Sequence, residues 1–245
     1  MPHPRPIAII FLISSGLATL AGCSASEAAS PGATAARASP LHPVVIELFQ
    51  SQGCSSCPPA NAALNAIADR NDVLALSFAV TYWDRLGWKD TFGSPSFTAR
   101  QQDYARAGQG EVATPEFIVN GAHAVVGSNR RALEATIAAA GVPSGGPQIS
   151  VSPSVVRIAA AAASGRAAVW LVRYDPRTRE VPIRAGENGG RTLPHRNIVR
   201  ELVKLGDWAG PAATFALPSA RETGLAAAVL VQHGTGGTII SAHSF

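Results

Sequence analysis

The sequence predicts an α/β domain of order β-α-β-α-β-β-α over residues 43–141, followed by a smaller, mostly antiparallel β domain over residues 148–245. Three observations carry this. Between residues 43 and 141, apolar runs of strand length alternate with runs whose apolar residues recur at helical spacing. Residues 142–146 (Val-Pro-Ser-Gly-Gly) have linker composition. Beyond them the chain changes to short β-branched runs broken by Gly, Pro and Asn turns.

The elements follow in order. Residues 44–49 (Val-Val-Ile-Glu-Leu-Phe) form an apolar run of strand length, after which a glycine-containing turn leads to Cys54. A helix opens with Pro58 and Pro59, tolerated there because first-turn N–H groups have no partner inside a helix. Ala60, Leu64, Ile67 and Ala68 continue it at helical spacing. Residues 72–81 are a second strand, and Ser94-Pro95 can start a helix reaching Ala107, with Phe97, Arg100, Gln101 and Tyr104 in phase. Residues 116–119 and 122–126 pair across an Asn120-Gly121 turn. Ser128 is expected to cap a last helix, residues 129–140, which stops at Gly141. In the second half the strand-like runs are 148–153, 155–160, 167–174, 180–184, 196–205, 213–217 and 226–241. The glycine-rich stretch at residues 186–190 lacks the strand-to-helix setting of a phosphate loop and reads as a hairpin turn.

Composition excludes some classes. In 245 residues, 47% are hydrophobic and 15% charged, which describes a folded body with a core rather than a disordered tail. The formal charge of +4 comes from arginines spread along the chain, with lysine only at Lys89 and Lys204. No compact basic stripe exists, so nucleic acid is not an expected partner.

The amino terminus reads as an address. Residues 7–20 are apolar but too few to span a bilayer, the size of a signal-peptide core. The following Leu20-Ala21-Gly22-Cys23 resembles a lipobox, which makes residues 1–22 a lipoprotein signal peptide and Cys23 the lipidated residue. An ordinary signal peptide cut near Ala25 is the rival reading. Ser24 favours the outer over the inner membrane, and residues 23–42, small and polar with Pro31 and Pro40, read as a flexible tether. The expected location is the bacterial cell envelope, lipid-anchored and facing the periplasm, a compartment that permits disulfides.

The other two of the three cysteines form Cys54-Ser55-Ser56-Cys57 at the junction of the first strand and first helix. Two thiols at this spacing can close a disulfide without moving the backbone, and a helix start favours a thiolate. Cys54 would attack a disulfide and Cys57 would resolve the mixed intermediate. The rivals are an inert structural disulfide and a site for copper or another metal. Histidine adds little to the metal reading: pairing across residues 234–237 would set His233 near Thr238, away from His243, and no other histidine has a ligand-spaced neighbour. No metal or cofactor is therefore expected.

The order of elements with this dithiol resembles the thioredoxin fold. The runs at residues 49–60 (Phe-Gln-Ser-Gln-Gly-Cys-Ser-Ser-Cys-Pro-Pro-Ala) and 82–90 (Tyr-Trp-Asp-Arg-Leu-Gly-Trp-Lys-Asp) resemble a family of uncharacterised secreted bacterial thioredoxin-like proteins. The resemblance implies a cis peptide before Pro115 facing the dithiol, a Thr114 backbone free to pair with a bound peptide, and Glu47 as a buried proton acceptor behind Cys57. The rival readings are a trans Pro115 that only opens a strand and a Glu47 that reaches solvent or pairs with an arginine. Trp83 lies on a segment that is either substrate-facing or core, and is taken here as substrate-binding. The expected function is thiol–disulfide exchange on a protein client. A metal carrier and a non-catalytic interaction protein stand beside it as alternatives.

Overall fold

Every residue of Val44–Gln50 (β1) and of Val73–Ala79 (β2) is buried. Two parallel strands covered on both faces need such continuous apolar runs. The computed structural model describes residue 39 and residues 42–245. The signal peptide and lipidated Cys23 expected from the sequence lie outside the described residues, as does all of the expected tether except Ser39 and His42.

The fold is mixed α/β, with a large central mixed sheet and additional small antiparallel sheets. After β1 come Pro58–Ile67 (α1), β2, a short 3-10 turn at Asp84–Leu86, Pro95–Arg106 (α2), Glu116–Val119 (β3), His123–Val126 (β4) and Arg130–Ala140 (α3). Then follow Ile149–Ser152 (β5), Val155–Ile158 (β6), Ala167–Asp175 (β7), Arg179–Pro182 (β8), Thr192–His195 (β9), Ile198–Trp208 (β10), Ala213–Ala216 (β11), Ala226–His233 (β12) and Ile239–Ser244 (β13). Eight strands form the central sheet in the order β13-β12-β7-β10-β2-β1-β3-β4; β11-β6-β5 and β8-β9 are separate small sheets.

Strand alternation sorts the core. Ile46 and Leu48 of β1 face Ala60, Leu64 and Ile67 of α1 and Leu133 and Ile137 of α3. Val45 and Phe49 point the other way, toward Phe97 and Tyr104 of α2. On that side the Phe49, Phe78 and Phe97 rings meet in sequence, each neighbouring pair 5.4 Å apart between centroids. A third cluster holds the small β5-β6-β11 sheet against β7 and β12 through Val156, Ile158, Val169, Leu171 and Trp208.

The second half differs from its expected form as a separate β domain. Strands β7, β10, β12 and β13 extend the central sheet through a parallel contact of β10 with β2, Ile198 opposite Ser77. The physical reason is the edge of β2, whose main-chain groups need partners once buried. Asn197, with φ of +49°, supplies them: its carbonyl accepts from Ser77 N at 2.9 Å and its Nδ2 donates to Ala75 O at 2.8 Å. Other boundaries moved less. The run at 226–241 is two strands turned at Gly234, the run at 196–205 continues to Trp208 with two register shifts, and β9 was not expected. The cap of α3 is Asn129 rather than Ser128, its side chain accepting from Ala132 N at 3.0 Å.

Candidate redox site

Cys54 and Cys57 are joined as a disulfide, their Cα atoms 5.4 Å apart. The local chain explains the geometry. Cys54 N donates to Ser51 O and Cys57 N to Cys54 O, each at 3.1 Å, so two successive turns bring the cysteines together. Cys57 is then the N-cap residue of α1, accepting from Ala60 N and Asn61 N at 3.0 Å. The peptide between Thr114 and Pro115 is cis, and Thr114 O lies 3.8 Å from Cys54 Sγ. Ser56 Oγ bridges the two elements, 3.3 Å from Cys54 Sγ and 3.5 Å from Thr114 O.

Trp83 fixes this loop from the other side, its Nε1 donating to Thr114 Oγ1 at 2.7 Å. Gln101 on α2 donates to Ala113 O at 2.6 Å and to Glu116 Oε2 at 3.2 Å. The structure thus gathers Cys54, Cys57, Thr114, Pro115 and Trp83 into one place, with Trp83 holding the loop.

Glu47 is placed elsewhere, and the expectation of a proton acceptor behind Cys57 is corrected. Its strand neighbours Ile46 and Leu48 face α1, so Glu47 points to the opposite face, toward α2. There it accepts two hydrogen bonds from Arg100, Nε at 2.6 Å and Nη2 at 3.0 Å, and one from the Tyr104 hydroxyl. Gln232 of β12 closes the network, accepting from Arg100 Nη1 at 3.2 Å and donating to the Tyr104 hydroxyl at 3.0 Å. All four residues are buried. Glu47 is committed to a charge pair, not to a thiol.

The cysteine sulfurs are also less open than a helix-tip thiolate was expected to be, since both residues are 0% exposed. The turn at residues 186–190, between β8 and β9, is bonded to the loop that carries them. Asn188, itself 0% exposed, donates through Nδ2 to Gln52 O at 2.9 Å and Cys54 O at 2.8 Å. Ser55 N donates to Glu187 Oε2 at 3.0 Å. Hydrogen bonds from Ser55 hold the Glu187 carboxyl below its ordinary value. A donor that would otherwise favour a thiolate is therefore taken by a carboxylate, while Pro58 and Pro59 have no N–H to offer.

A family model described as "Protein of unknown function (DUF1223)" matches residues 45–232. The chain belongs to this family. Its structure is similar to the crystal structure of protein AGR_C_4864 from Agrobacterium tumefaciens, at 31% identity and a TM-score of 0.68, covering 86% of this chain and 96% of that one. It is also similar in fold to HBP35 of Porphyromonas gingivalis, at 13% identity and a TM-score of 0.51, over 86% of this chain and 76% of that one. No curated protein matches the chain.

Sequence reasoning missed three polar residues at the site of this DUF1223 chain. Glu187 and Asn188 fall in the stretch that reads as a hairpin turn, and no local signal places that turn on the loop that carries the cysteines. The third, Asp90, is buried beside the loop that carries the cysteines, accepting from Gln52 N at 2.7 Å and Phe92 N at 2.9 Å. Burial pushes its carboxyl up to about 6 despite those bonds, with the charge of Asp84 adding to the rise. Gln52 is held further by Trp88, whose Nε1 donates to its Oε1 at 2.9 Å. Among the described residues, no group of three or more His, Cys, Asp or Glu side chains is arranged to hold a metal ion.

Proposed function

We propose that this chain is a thiol–disulfide exchange protein of the bacterial cell envelope, built on a thioredoxin-like arrangement, anchored through a lipid on Cys23 and acting on protein thiols or disulfides. The observation that carries the reading is the Cys54–Cys57 disulfide at a strand-to-helix junction, facing the backbone of a cis Thr114–Pro115 peptide. In the reduced protein, the Cys54 thiolate attacks a client disulfide. One client sulfur leaves as a thiolate and takes up a proton, and Cys54 is left in a mixed disulfide. Cys57, as thiolate, then attacks Cys54, releasing the second client thiol and restoring the Cys54–Cys57 bond. Two electrons have passed to the client. Run backwards, the same steps oxidise a client dithiol.

The test is insulin reduction with dithiothreitol as electron source. The wild-type chain is expected to speed insulin precipitation above the dithiothreitol background, and Cys54→Ser to fall back to it. Equal rates for the two proteins would remove the exchange function.

A further inference from the structure

The turn bonded to the cysteine loop belongs to a unit that is held to the rest of the protein by side-chain contacts and not by strand pairing. Such contacts include Asn65 Nδ2 donating to Pro194 O at 3.1 Å and the Arg179–Asp175 ion pair. Among the described residues, β8 and β9 pair only with each other, in four-residue strands. Their apolar side chains Val181, Ile183 and Leu193 form a small cluster of their own, resting on Trp88 and Phe92. Two-stranded hairpins are marginal alone, and such peripheral units open at lower free energy than the global transition. The turn ends in glycines with positive φ, Gly186 at +71° and Gly190 at +84°, and space is open around Gly190. Gly186 sits so close to Trp88 that an added Cβ would meet the tryptophan Cβ at 3.1 Å.

The contacts made by the turn tip are unlike those of a surface loop. Asn188 is fully buried, and its amide spans two main-chain carbonyls flanking the Gly53-Cys54 step. Glu187 takes the Ser55 N–H. Three main-chain groups at the reactive loop are thus occupied by two side chains from more than 130 residues away. Cys54 and Cys57 are both 0% exposed, so an attacking thiolate has no open path to either sulfur in this arrangement.

We propose that the β8–β9 hairpin is a displaceable lid over the Cys54–Cys57 disulfide, latched by Asn188 and Glu187, which a partner must lift before exchange can occur. As regulation of that site, the lid rests on the exchange reading, but its own test does not. Lifting it uncovers the sulfurs and frees the Ser55 N–H together. A site gated in this way reacts slowly with passing thiols and faster with a partner able to compete for the groups the turn holds.

The experiment follows reduction of the Cys54–Cys57 bond in the full chain by dithiothreitol under native conditions. A dithiothreitol thiolate attacks one protein sulfur and the Cys54–Cys57 bond breaks as a mixed disulfide forms. The second dithiothreitol thiol then closes its own ring disulfide, leaving both cysteines as thiols. Asn188→Asp keeps shape but turns a carboxylate toward two carbonyls, and Glu187→Ala removes the other latch. Each is expected to raise the second-order rate at least about tenfold, measured at a temperature where the variant is fully folded. An unchanged rate in folded variants would overturn the lid. Should neither variant fold, hydrogen exchange on the wild-type chain decides: the Ile183 and Gly190 amides, bonded within the hairpin, should exchange faster than the Ser77 and Val80 amides of the central sheet. Equal exchange would overturn it. Faster reduction without insulin activity would leave the lid standing and remove the exchange function; insulin activity with unchanged reduction rates would do the reverse.

Discussion

Arg100→Met is expected to cost about 3–5 kcal/mol of folding stability, because it leaves the Glu47 carboxylate in the core without its cation. Glu47 and Arg100 side chains are 0% and 4% exposed, so water cannot take over the lost interaction. The phenol of Tyr104, which burial pushes well above its ordinary value, still donates to Glu47 but brings no charge. Gln232 loses its donor as well, which loosens the link between α2 and β12. In a chain of this size the cost is about 10 °C in melting temperature. The double variant Glu47→Leu with Arg100→Met removes both charges together and is expected to recover most of the loss. Chemical denaturation of the two variants checks this. If the double variant is no more stable than Arg100→Met, the ion pair is not what the single change breaks.

The second large effect is a pair of opposing pH dependences. Burial holds Asp90 at about 6, above its ordinary 3.8. Between those values the folded chain keeps a proton that the unfolded chain has released, so stability from this group grows as pH falls from about 6 toward 4 and is lost as pH rises back. His195 behaves in the opposite way. It is buried on β9 with no hydrogen-bond partner on either ring nitrogen among the described residues, and burial depresses it to about 4 from 6.5. The folded chain there lacks a proton that the unfolded chain binds, so its stability is present above 6.5 and lost as pH falls through about 4. Each shift corresponds to about 3 kcal/mol in full, which makes the two slopes nearly cancel in the wild type.

Single changes unmask them. His195→Leu is expected to become more stable on acidification from pH 6.5 to 4, with Glu116, whose carboxyl burial also raises, acting in the same direction. It should also gain about 1–2 kcal/mol at pH 7.5 by removing two orphaned ring nitrogens. Asp90→Asn is expected to lose stability over the same window. The ion-paired Asp72, Asp175 and Asp207, held below their ordinary 3.8, act at lower pH and leave this window to Asp90, Glu116 and His195. Denaturation midpoints from pH 4 to 7.5 read the slopes directly. Parallel curves for wild type and both variants would contradict the assignment.

Much of the site was legible because it is local. Paired cysteines before a Pro-Pro helix start, and a strand opening at Pro115, are short-range patterns whose elements fall where the spacing places them. The helical phase of Phe97, Arg100, Gln101 and Tyr104 likewise predicted which residues of α2 turn inward. Glu47 shows where that reasoning stops. Alternation along β1 determines which face a side chain takes, but its partner Arg100 is 53 residues away and no local pattern names it. The Gly186–Gly190 stretch was legible as a turn, whereas its seat on the cysteine loop depends on Asn188 and Glu187 reaching that loop and on three apolar residues landing on Trp88 and Phe92. Joining the halves into one sheet hangs on a single parallel residue pair and on Asn197. Sequence periodicity carries no signal for such a contact.

The most direct test of the account is the reduction potential of the Cys54–Cys57 couple, measured on the folded chain equilibrated in graded thiol–disulfide buffers. An exchange-active pair is expected to fall between about −120 and −270 mV, the span of known catalytic dithiols. A potential below about −300 mV, where structural disulfides lie, would contradict it.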